Sequence, residues 1–145
     1  MRMKYGENSD TLMIVASGNT EDFGQITSAS QEINNLLGYN PDQVIGLDVS
    51  KIVPRHLAEI HTGIMTAYFE TGVNRFVNTE RLIFPERKDG FITPSSGLLR
   101  ILPYLEKGVQ MIVFMKASNL EIFADQGVII TDTKGIIVGV NKIAY

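Results

Sequence analysis

The sequence predicts an α+β domain, in which one antiparallel sheet is combined with helices from the middle of the chain. Two patterns indicate this class. Residues 54–72 carry apolar side chains at the spacing of an amphipathic helix, and residues 109–115 alternate as a strand does. Further strand-like runs stand before and after the helix. The predicted order is β-β-α-α-α-β-β-β, with five strands in the sheet and the helices on one face.

The composition of the chain excludes several classes of function. The chain has 145 residues, enough for one ordinary domain and a modest second element, and its net charge of −3 is too small for a nucleic-acid groove or an anionic membrane surface. The absence of cysteine excludes disulfides, cysteine-ligated zinc, thiol nucleophiles and cysteinyl-flavin photochemistry. Neither a signal peptide nor an apolar run of about 18 residues is found. No GxSxG, P-loop, HExxH or GxGxxG motif supports catalysis, so we predict no enzyme.

The first two strands are predicted from short runs near the N-terminus. Residues 11–16 are apolar and partly β-branched, and residues 24–28 alternate polar and apolar side chains. Residues 17–23 between them contain Gly18-Asn19 and are predicted as a turn. Residues 1–10 are polar and are predicted as a loose lead-in.

Three short helical turns are predicted next. We expect Ser30 to cap a helix that ends at Gly38, and Asn40 to cap a turn that begins with Pro41. Residues 48–52 are predicted as a third turn. All three lie between the second and third strands of the predicted order.

The longest helix is predicted to run from Pro54 to about Gly72. His61 falls near the middle of its apolar stripe, at about 100° per residue. A sheet that curves over this helix would leave a cavity between the two, which suits binding or sensing better than chemistry. The members of the stripe are Leu57, Ile60, Ile64, Met65, Tyr68 and Phe69.

Three strands are predicted to follow the helix, over residues 76–84, 91–102 and 109–115. Asp89-Gly90 and Lys107-Gly108 between them have the residue types of hairpin turns. Three consecutive strands joined by such turns predict antiparallel pairing.

An internal repeat marks the C-terminal part of the chain. Gly24-x-Ile26-x-x-x-Ser30 recurs 111 residues later as Gly135-x-Ile137-x-x-x-Asn141, after a strand-like run over residues 127–132. We predict one domain over residues 11–117, followed over residues 118–145 by a linker and the truncated start of a second, similar domain. The alternative is a terminal hairpin that completes the first domain.

Six segments stand in an order and spacing that is typical of one family, from about residue 12 to residue 117. They are Gly24-x-Ile26, Leu36-Leu37-Gly38-Tyr39, Val44-Ile45-Gly46, Ile52-Val53-Pro54, His61 through Gly72, and Arg87-Lys88-Asp89-Gly90. Through them the chain resembles a PAS domain of the S-box type. The tail resembles the opening of a further PAS domain through Asp132-x-x-Gly135-x-Ile137-x-x-x-Asn141.

A narrower resemblance comes from two strand ends. Arg81-Leu82-Ile83-Phe84-Pro85 and Ile101-Leu102-Pro103 are similar to segments of PAS modules embedded in very large multi-pass membrane proteins of ciliated protists. This resemblance implies a cytoplasmic module that belongs to an integral membrane protein. The module itself would make no direct membrane contact.

The family resemblance implies a non-catalytic sensory and interaction module of a larger signalling protein. Such domains bind a small ligand between the sheet and the long helix, or bind none and pair with another copy, and the signal leaves through the sheet and the termini. Ile112 and Phe114 are predicted on the outer sheet face, where we expect a homodimer contact or a neighbouring PAS domain. The pocket wall suits a small apolar ligand or plain core packing. No nucleic-acid partner is expected.

Haem-based oxygen-sensor PAS domains are the alternative that the resemblance offers. They carry an axial histidine and, about twenty residues further on, an arginine on the next strand that faces the bound gas. His61 and Arg81 hold that spacing, and the resemblance implies His61 as the iron ligand. The candidate pocket residues are His61, Arg81, Tyr68, Ile64, Ile83, Met111 and Val113.

The less specific interpretation is that no cofactor is bound. A backbone carbonyl or a neighbouring glutamate could then satisfy His61, and Arg81 could form a surface ion pair with Glu80 or Glu59. A flavin is not expected, because the chain has neither cysteine nor tryptophan.

The Arg87-Lys88-Asp89 cluster is predicted to be a solvated turn. A small α+β enzyme is the remaining alternative, but the mostly hydrocarbon pocket wall offers no convergent polar side chains for it.

Overall fold

The structure, a computed structural model, describes residues 10–73, 76–104, 106–119, 123 and 125–145. The elements are β1 (Leu12–Ser17), β2 (Ile26–Ala29), α1 (Ile33–Leu37), α2 (Pro41–Val44), a 3₁₀ turn (Val49–Ile52), α3 (Arg55–Thr71), β3 (Arg81–Ile83), β4 (Ser95–Tyr104), β5 (Gly108–Ala117), β6 (Ile129–Thr131) and β7 (Ile137–Val140). A five-stranded antiparallel sheet has the order β2-β1-β5-β4-β3. The predicted α+β class and element order are confirmed.

The core lies between one face of this sheet and the short helices. β1 and β5 pair so that Leu12 lies opposite Met115 and Ile14 lies opposite Val113, which puts all four side chains on the same face. Leu12 and Ile14 are fully buried there. The helical layer covers them, and with β2 it contributes further buried members of the cluster: Ile26, Ile33, Leu36, Leu37, Val44, Val49 and Ile52.

Glycines end the two main helices, as predicted. Gly38 follows α1 with φ 78°, and its N–H donates to the carbonyls of Ile33 and Asn34. Gly72 follows α3 with φ 66°. Both residues lie in the left-handed region, where glycine carries no Cβ penalty.

The predicted cap at Ser30 is wrong. α1 begins only at Ile33, and the Ser30 hydroxyl instead accepts a hydrogen bond of 3.0 Å from the N–H of Met13 on β1. The other two predicted starts are correct: α2 begins with Pro41, and the side chain of Asp48 accepts a hydrogen bond from the N–H of Ser50 at the 3₁₀ turn. A serine hydroxyl near a helix start can bond to the backbone of another element instead of capping the helix, and here it bonds to β1.

The predicted inward stripe of α3 is partly wrong. Leu57, Ile60 and Ile64 are 38%, 59% and 43% exposed. Met65 is the residue of α3 that packs against the core, and the ring of Phe69 packs edge-to-face on Phe23 at a centroid distance of 5.2 Å. Two adjacent apolar rows run along this helix, and the row that includes Met65 and Phe69 faces inward. Within the described ranges, no helix combines the length and apolar character that crossing a bilayer requires.

The third strand is shorter than predicted. β3 covers only Arg81–Ile83, because Asn78 has a left-handed φ of 62° and donates its N–H to the carbonyl of Leu99, which ends regular antiparallel pairing before Arg81. β4 runs from Ser95 rather than from residue 91. Ile83 crosses over Gly97 of β4, where a Cβ would come within 2.4 Å of the Ile83 Cδ1 atom.

The C-terminal strands form a sheet of their own. β6 pairs antiparallel with β7, and the N–H of Ile92 donates to the carbonyl of Val140 at 2.9 Å. A second-domain start and a terminal hairpin would both look like this at the level of secondary structure. The predicted domain boundary at residue 117 therefore stays a prediction.

Candidate functional site

The structure separates the seven predicted pocket residues into three groups. Met111 is buried on the inner sheet face, and Ile83 and Val113 pack against the core. Ile64 lies on the exposed side of α3, and Arg81 is also exposed, so these two do not join the group around β5. Tyr68 and His61 are half-buried on α3.

His61 is the most unusual of these side chains. It lies one turn before Met65 on the inward side of α3. Its Nδ1 atom is buried and finds no hydrogen-bond partner in the described part of the chain, as is also true of Nδ1 of His56. Burial lowers the pKa of His61, and the carboxylate of Asp48 opposes this effect more weakly. The neutral form of the His61 imidazole is therefore favoured at physiological pH. Its Nδ1 atom has no hydrogen-bond partner in the described part of the chain.

Arg81 lies on the exposed surface of the domain, beside an aromatic ring. Its guanidinium carbon lies 4.8 Å from the centroid of the Phe76 ring, a cation–π contact on the exposed side of the sheet edge. Its neighbour Glu80 accepts a hydrogen bond from the Ser96 hydroxyl on β4. The shared pocket that the spacing of His61 and Arg81 suggests stays a prediction.

Two open depressions lie elsewhere, at the loop between β1 and β2. One of about 620 Å³ is bounded by residues 18–22 and Val109. The other, of about 380 Å³, is bounded by residues 20–23, Gln25, Gly46 and Asp48. Neither includes a predicted pocket residue. Within the described ranges, no group of three or more histidine, aspartate or glutamate side chains is arranged to hold a metal ion.

Arg87 is the residue whose role the sequence did not reveal. Its Nη1 atom donates to the carbonyl of Leu36 at 2.8 Å, and its Nε atom lies 3.2 Å from the Asp89 carboxylate. The next N–H, of Lys88, donates to the carbonyl of Leu37. The predicted turn is present and Lys88 and Asp89 are exposed, but Arg87 is half-buried, because the 87–88 segment closes the C-terminal end of α1. In the sequence, the one signal for the contact between this segment and α1 is the charged Arg87-Lys88-Asp89 motif.

Stability is expected to fall as the pH drops below about 6.5, the ordinary pKa of histidine. The folded state lowers the pKa of His61, so the unfolded chain takes up the proton first and unfolding is favoured by acid. A His61→Leu variant should show a flatter decline between pH 7 and pH 5, measured by urea unfolding at each pH. The exposed helix variant Thr66→Ala should keep the original slope, and an unchanged slope in His61→Leu would contradict the assignment.

Solved structures with the same arrangement identify the fold. The PAS domain of a protein from Colwellia psychrerythraea superposes with a TM-score of 0.58, and the match covers 75% of this chain and 86% of that one at 18% identity. The chain has the PAS fold. A PAS domain from a two-component sensor histidine kinase also matches, with a TM-score of 0.55, 14% identity and coverage of 77% and 87%.

A third similar structure is the PAS domain of a receptor. The PAS domain of the quorum-sensing receptor RpfR from Cronobacter turicensis, solved in complex with BDSF, matches with a TM-score of 0.55 at 14% identity and covers 77% of this chain and 96% of that one. No family model matches the sequence. The narrower resemblance to the membrane proteins of ciliates, and the S-box type, stay predictions.

A curated protein that is named a probable kinase is similar in sequence to this chain. A probable serine/threonine-protein kinase of Dictyostelium discoideum is 30% identical over 122 residues, which is 83% of this chain. The matched segment makes up only 8% of the length of that protein. The similarity therefore concerns one small part of a much larger polypeptide.

Proposed function

We propose that the chain is a non-catalytic sensory and interaction PAS module of a larger signalling protein. The observation that carries this proposal is the match to a kinase of which the similar segment forms only 8%. The fold is also that of PAS domains from a sensor histidine kinase and a quorum-sensing receptor. A cytoplasmic location, within an integral membrane protein, belongs to the same proposal.

A small apolar ligand is the stimulus that the inner sheet face favours. Met111 and Val113 present hydrocarbon there, and Ile83 adds more from β3. A polar substrate would leave its hydrogen-bonding groups without partners on such a wall. Met65 of α3 packs on the same core, so a ligand would have to displace part of that packing and thereby move α3.

The outer sheet face is the surface we propose for a partner. Ile112 and Phe114 are half-buried there, with Leu98 opposite Phe114 on β4. Leu82 and Leu102 extend the same face and are 44% and 47% exposed. An apolar strip across three strands is typical of a contact with another protein surface, which we propose is a second copy or a neighbouring PAS domain.

Replacing both Ile112 and Phe114 by glutamate is expected to raise the monomer fraction in sedimentation velocity. Two charges on an apolar contact would remain desolvated and unpaired, which weakens association by at least about tenfold. The control is Thr62→Glu with Thr66→Glu, which adds the same charge to the exposed side of α3. An unchanged distribution in the sheet variant, or an equal change in the helix control, would remove the support for a sheet-mediated dimer.

A haem sensor is the second candidate, favoured by the buried, unpartnered Nδ1 atom of His61. His61 could ligate iron through a ring nitrogen, and haem would supply the site for a diatomic gas. Of the two residues that the resemblance implies, His61 is half-buried on α3, and Arg81 contacts the ring of Phe76. The interior beside α3 is occupied by Met65, Ile83 and Val113.

Stoichiometric hemin is expected to give no saturable shift of the Soret band, because Met65, Ile83 and Val113 already pack against the core where haem would have to enter. Absorption spectra of the purified chain titrated with hemin measure this directly. A saturable shift that His61→Ala abolishes and His56→Ala preserves would favour the haem sensor instead. Loss in both variants would indicate non-specific binding.

A further inference from the structure

The C-terminal hairpin repeats the pairing of the first hairpin. Ile14 pairs with Ala29 and Val15 with Ser28, and the register then shifts so that Ala16 pairs with Ile26. β6 and β7 show the same pattern: their successive pairs are Ile129 with Val140, Ile130 with Gly139 and, after the same shift, Thr131 with Ile137. A bulge at the same place in two hairpins is a specific feature, because bulges are positioned by the fold that surrounds them.

The turns of the two hairpins also agree. Gly24 and Gly135, which differ by 111 positions, have φ angles of 80° and 81°. The N–H of Gly24 donates to the carbonyl of Ser17, and the N–H of Gly135 donates to the carbonyl of Asp132. The loop of the first hairpin is four residues longer, and that difference leaves the closing bonds unchanged.

The connection that follows each hairpin is held by one polar side chain. Ser30 accepts from the N–H of Met13 at 3.0 Å and gives its own N–H to the Met13 carbonyl at 2.9 Å. Asn141 accepts from the N–H of Val128 at 2.8 Å and gives its own N–H to the Val128 carbonyl at 3.0 Å. Ser30 and Asn141 also lie 111 positions apart, so the strand register and these side-chain hydrogen bonds give the same alignment.

The two copies differ in what covers them. Ile14 and Ile26 are 0% and 1% exposed under the helical layer, whereas their counterparts Ile129 and Ile137 are 54% and 59% exposed. The second hairpin therefore presents the side chains that form the core of the first. Gly127 stands where the first copy has Leu12, so the repeat is structural rather than a close copy in sequence.

We infer that β6 and β7 are the opening hairpin of a second PAS unit, and that the face carrying Ile129 and Ile137 is the docking surface for the remaining elements of that unit. The occupant is defined by the first copy, in which α1, α2 and the 3₁₀ turn cover the equivalent face and β5 pairs with the free edge of β1. The inference extends the proposed function but rests on the fold, so it does not require the first unit to sense anything.

The same contacts show where the two units would meet. Ile92 is 2% exposed, donates its N–H to Val140, and would touch a Cβ at Gly139 at 3.2 Å. The ring of Phe91 packs on Tyr145 at 5.3 Å. Because Arg87 ties the same loop to the end of α1, a displacement of α1 would reach β7 through one short segment.

The coding sequence beyond Tyr145 gives the first test. By the offset of 111, the helix end Leu36-Leu37-Gly38 should recur as two apolar residues and a glycine at about positions 147–149, and the second unit should extend to about position 228. A stop codon before that point, or a continuation without this pattern, would overturn the inference.

The second test is a polypeptide extended to the end of that unit and carrying Ile137→Glu. We expect the hydrogen-exchange protection of the β6 and β7 amides to fall by at least about tenfold, because the substitution would bury a carboxylate in the core of the second unit. The amides of β1 and β5 should remain protected. In the 145-residue chain, the same variant should leave exchange unchanged within about twofold. Equal protection in the extended polypeptide with and without Ile137→Glu would overturn the inference. These readouts measure folding alone, so a failure of sensing or of dimer formation would not affect them.

Discussion

Replacing Ile14 by alanine is expected to lower the free energy of unfolding by about 2–5 kcal/mol. Ile14 is fully buried on β1, where it lies opposite Val113 and beneath the helical layer. Removing three carbons from such a site loses their transfer free energy and leaves a cavity that the sheet cannot close. Denaturant unfolding followed by circular dichroism measures the change.

Ile129→Ala is the matched control, because Ile129 holds the same register position in the second hairpin. Its side chain is 54% exposed, and the expected change is below about 0.5 kcal/mol in the 145-residue chain. Comparable losses in the two variants would mean that the C-terminal hairpin is part of the main core, contrary to its exposure here.

Replacing Arg87 by alanine is expected to cost about 1–2 kcal/mol of unfolding free energy. The change removes a charge-assisted hydrogen bond of 2.8 Å to the Leu36 carbonyl and the contact with Asp89, and it leaves the last turn of α1 without this partner. Arg87→Lys should recover little of the loss, because a lysine ammonium lacks the planar guanidinium that bonds to the Leu36 carbonyl and the Asp89 carboxylate at the same time. Thermal and urea unfolding of both variants provide the comparison.

Lys88→Ala serves as the control for this site. Its Nζ atom makes a single exposed contact of 3.2 Å with Gln43, and the backbone bond from the Lys88 N–H to Leu37 survives the substitution. We expect a change below about 0.5 kcal/mol. If Lys88→Ala were as costly as Arg87→Ala, general turn geometry would be responsible rather than the guanidinium.

Local signals predicted most of the fold. Gly38 and Gly72 ended helices where predicted, because a left-handed residue after a helical run has few alternatives to glycine. Pro41 began α2 for a similar reason, since its fixed φ suits the first helical position. Alternation along β5 gave the correct inner and outer faces. These features depend on a few neighbouring residues, which a sequence displays directly.

Features decided by tertiary contacts were not predicted. Two apolar rows compete along α3, and the core selected the row of Met65 and Phe69 over that of Ile60 and Ile64, which periodicity alone does not decide. The partner of Arg87 lies about 50 residues away in sequence, so no local pattern points to it.

The candidate site shows the same division. The sequence places His61 on the long helix, and the structure shows that its Nδ1 atom is buried, but its role as a ligand stays a prediction. The contact of Arg81 with Phe76 depends on tertiary structure, which sequence spacing does not determine. The binding of a small apolar ligand at the inner sheet face stays a prediction.

The absence of any fully buried residue among the seventeen of α3 has a consequence for access. A helix that contributes little to the cooperative core can detach at a lower free energy than global unfolding. A molecule from solvent could then reach His61 and the hydrocarbon of β5 while the sheet, α1 and α2 remain intact. Entry would be governed by the fraying of one helix, and the rest of the domain would serve as a rigid frame.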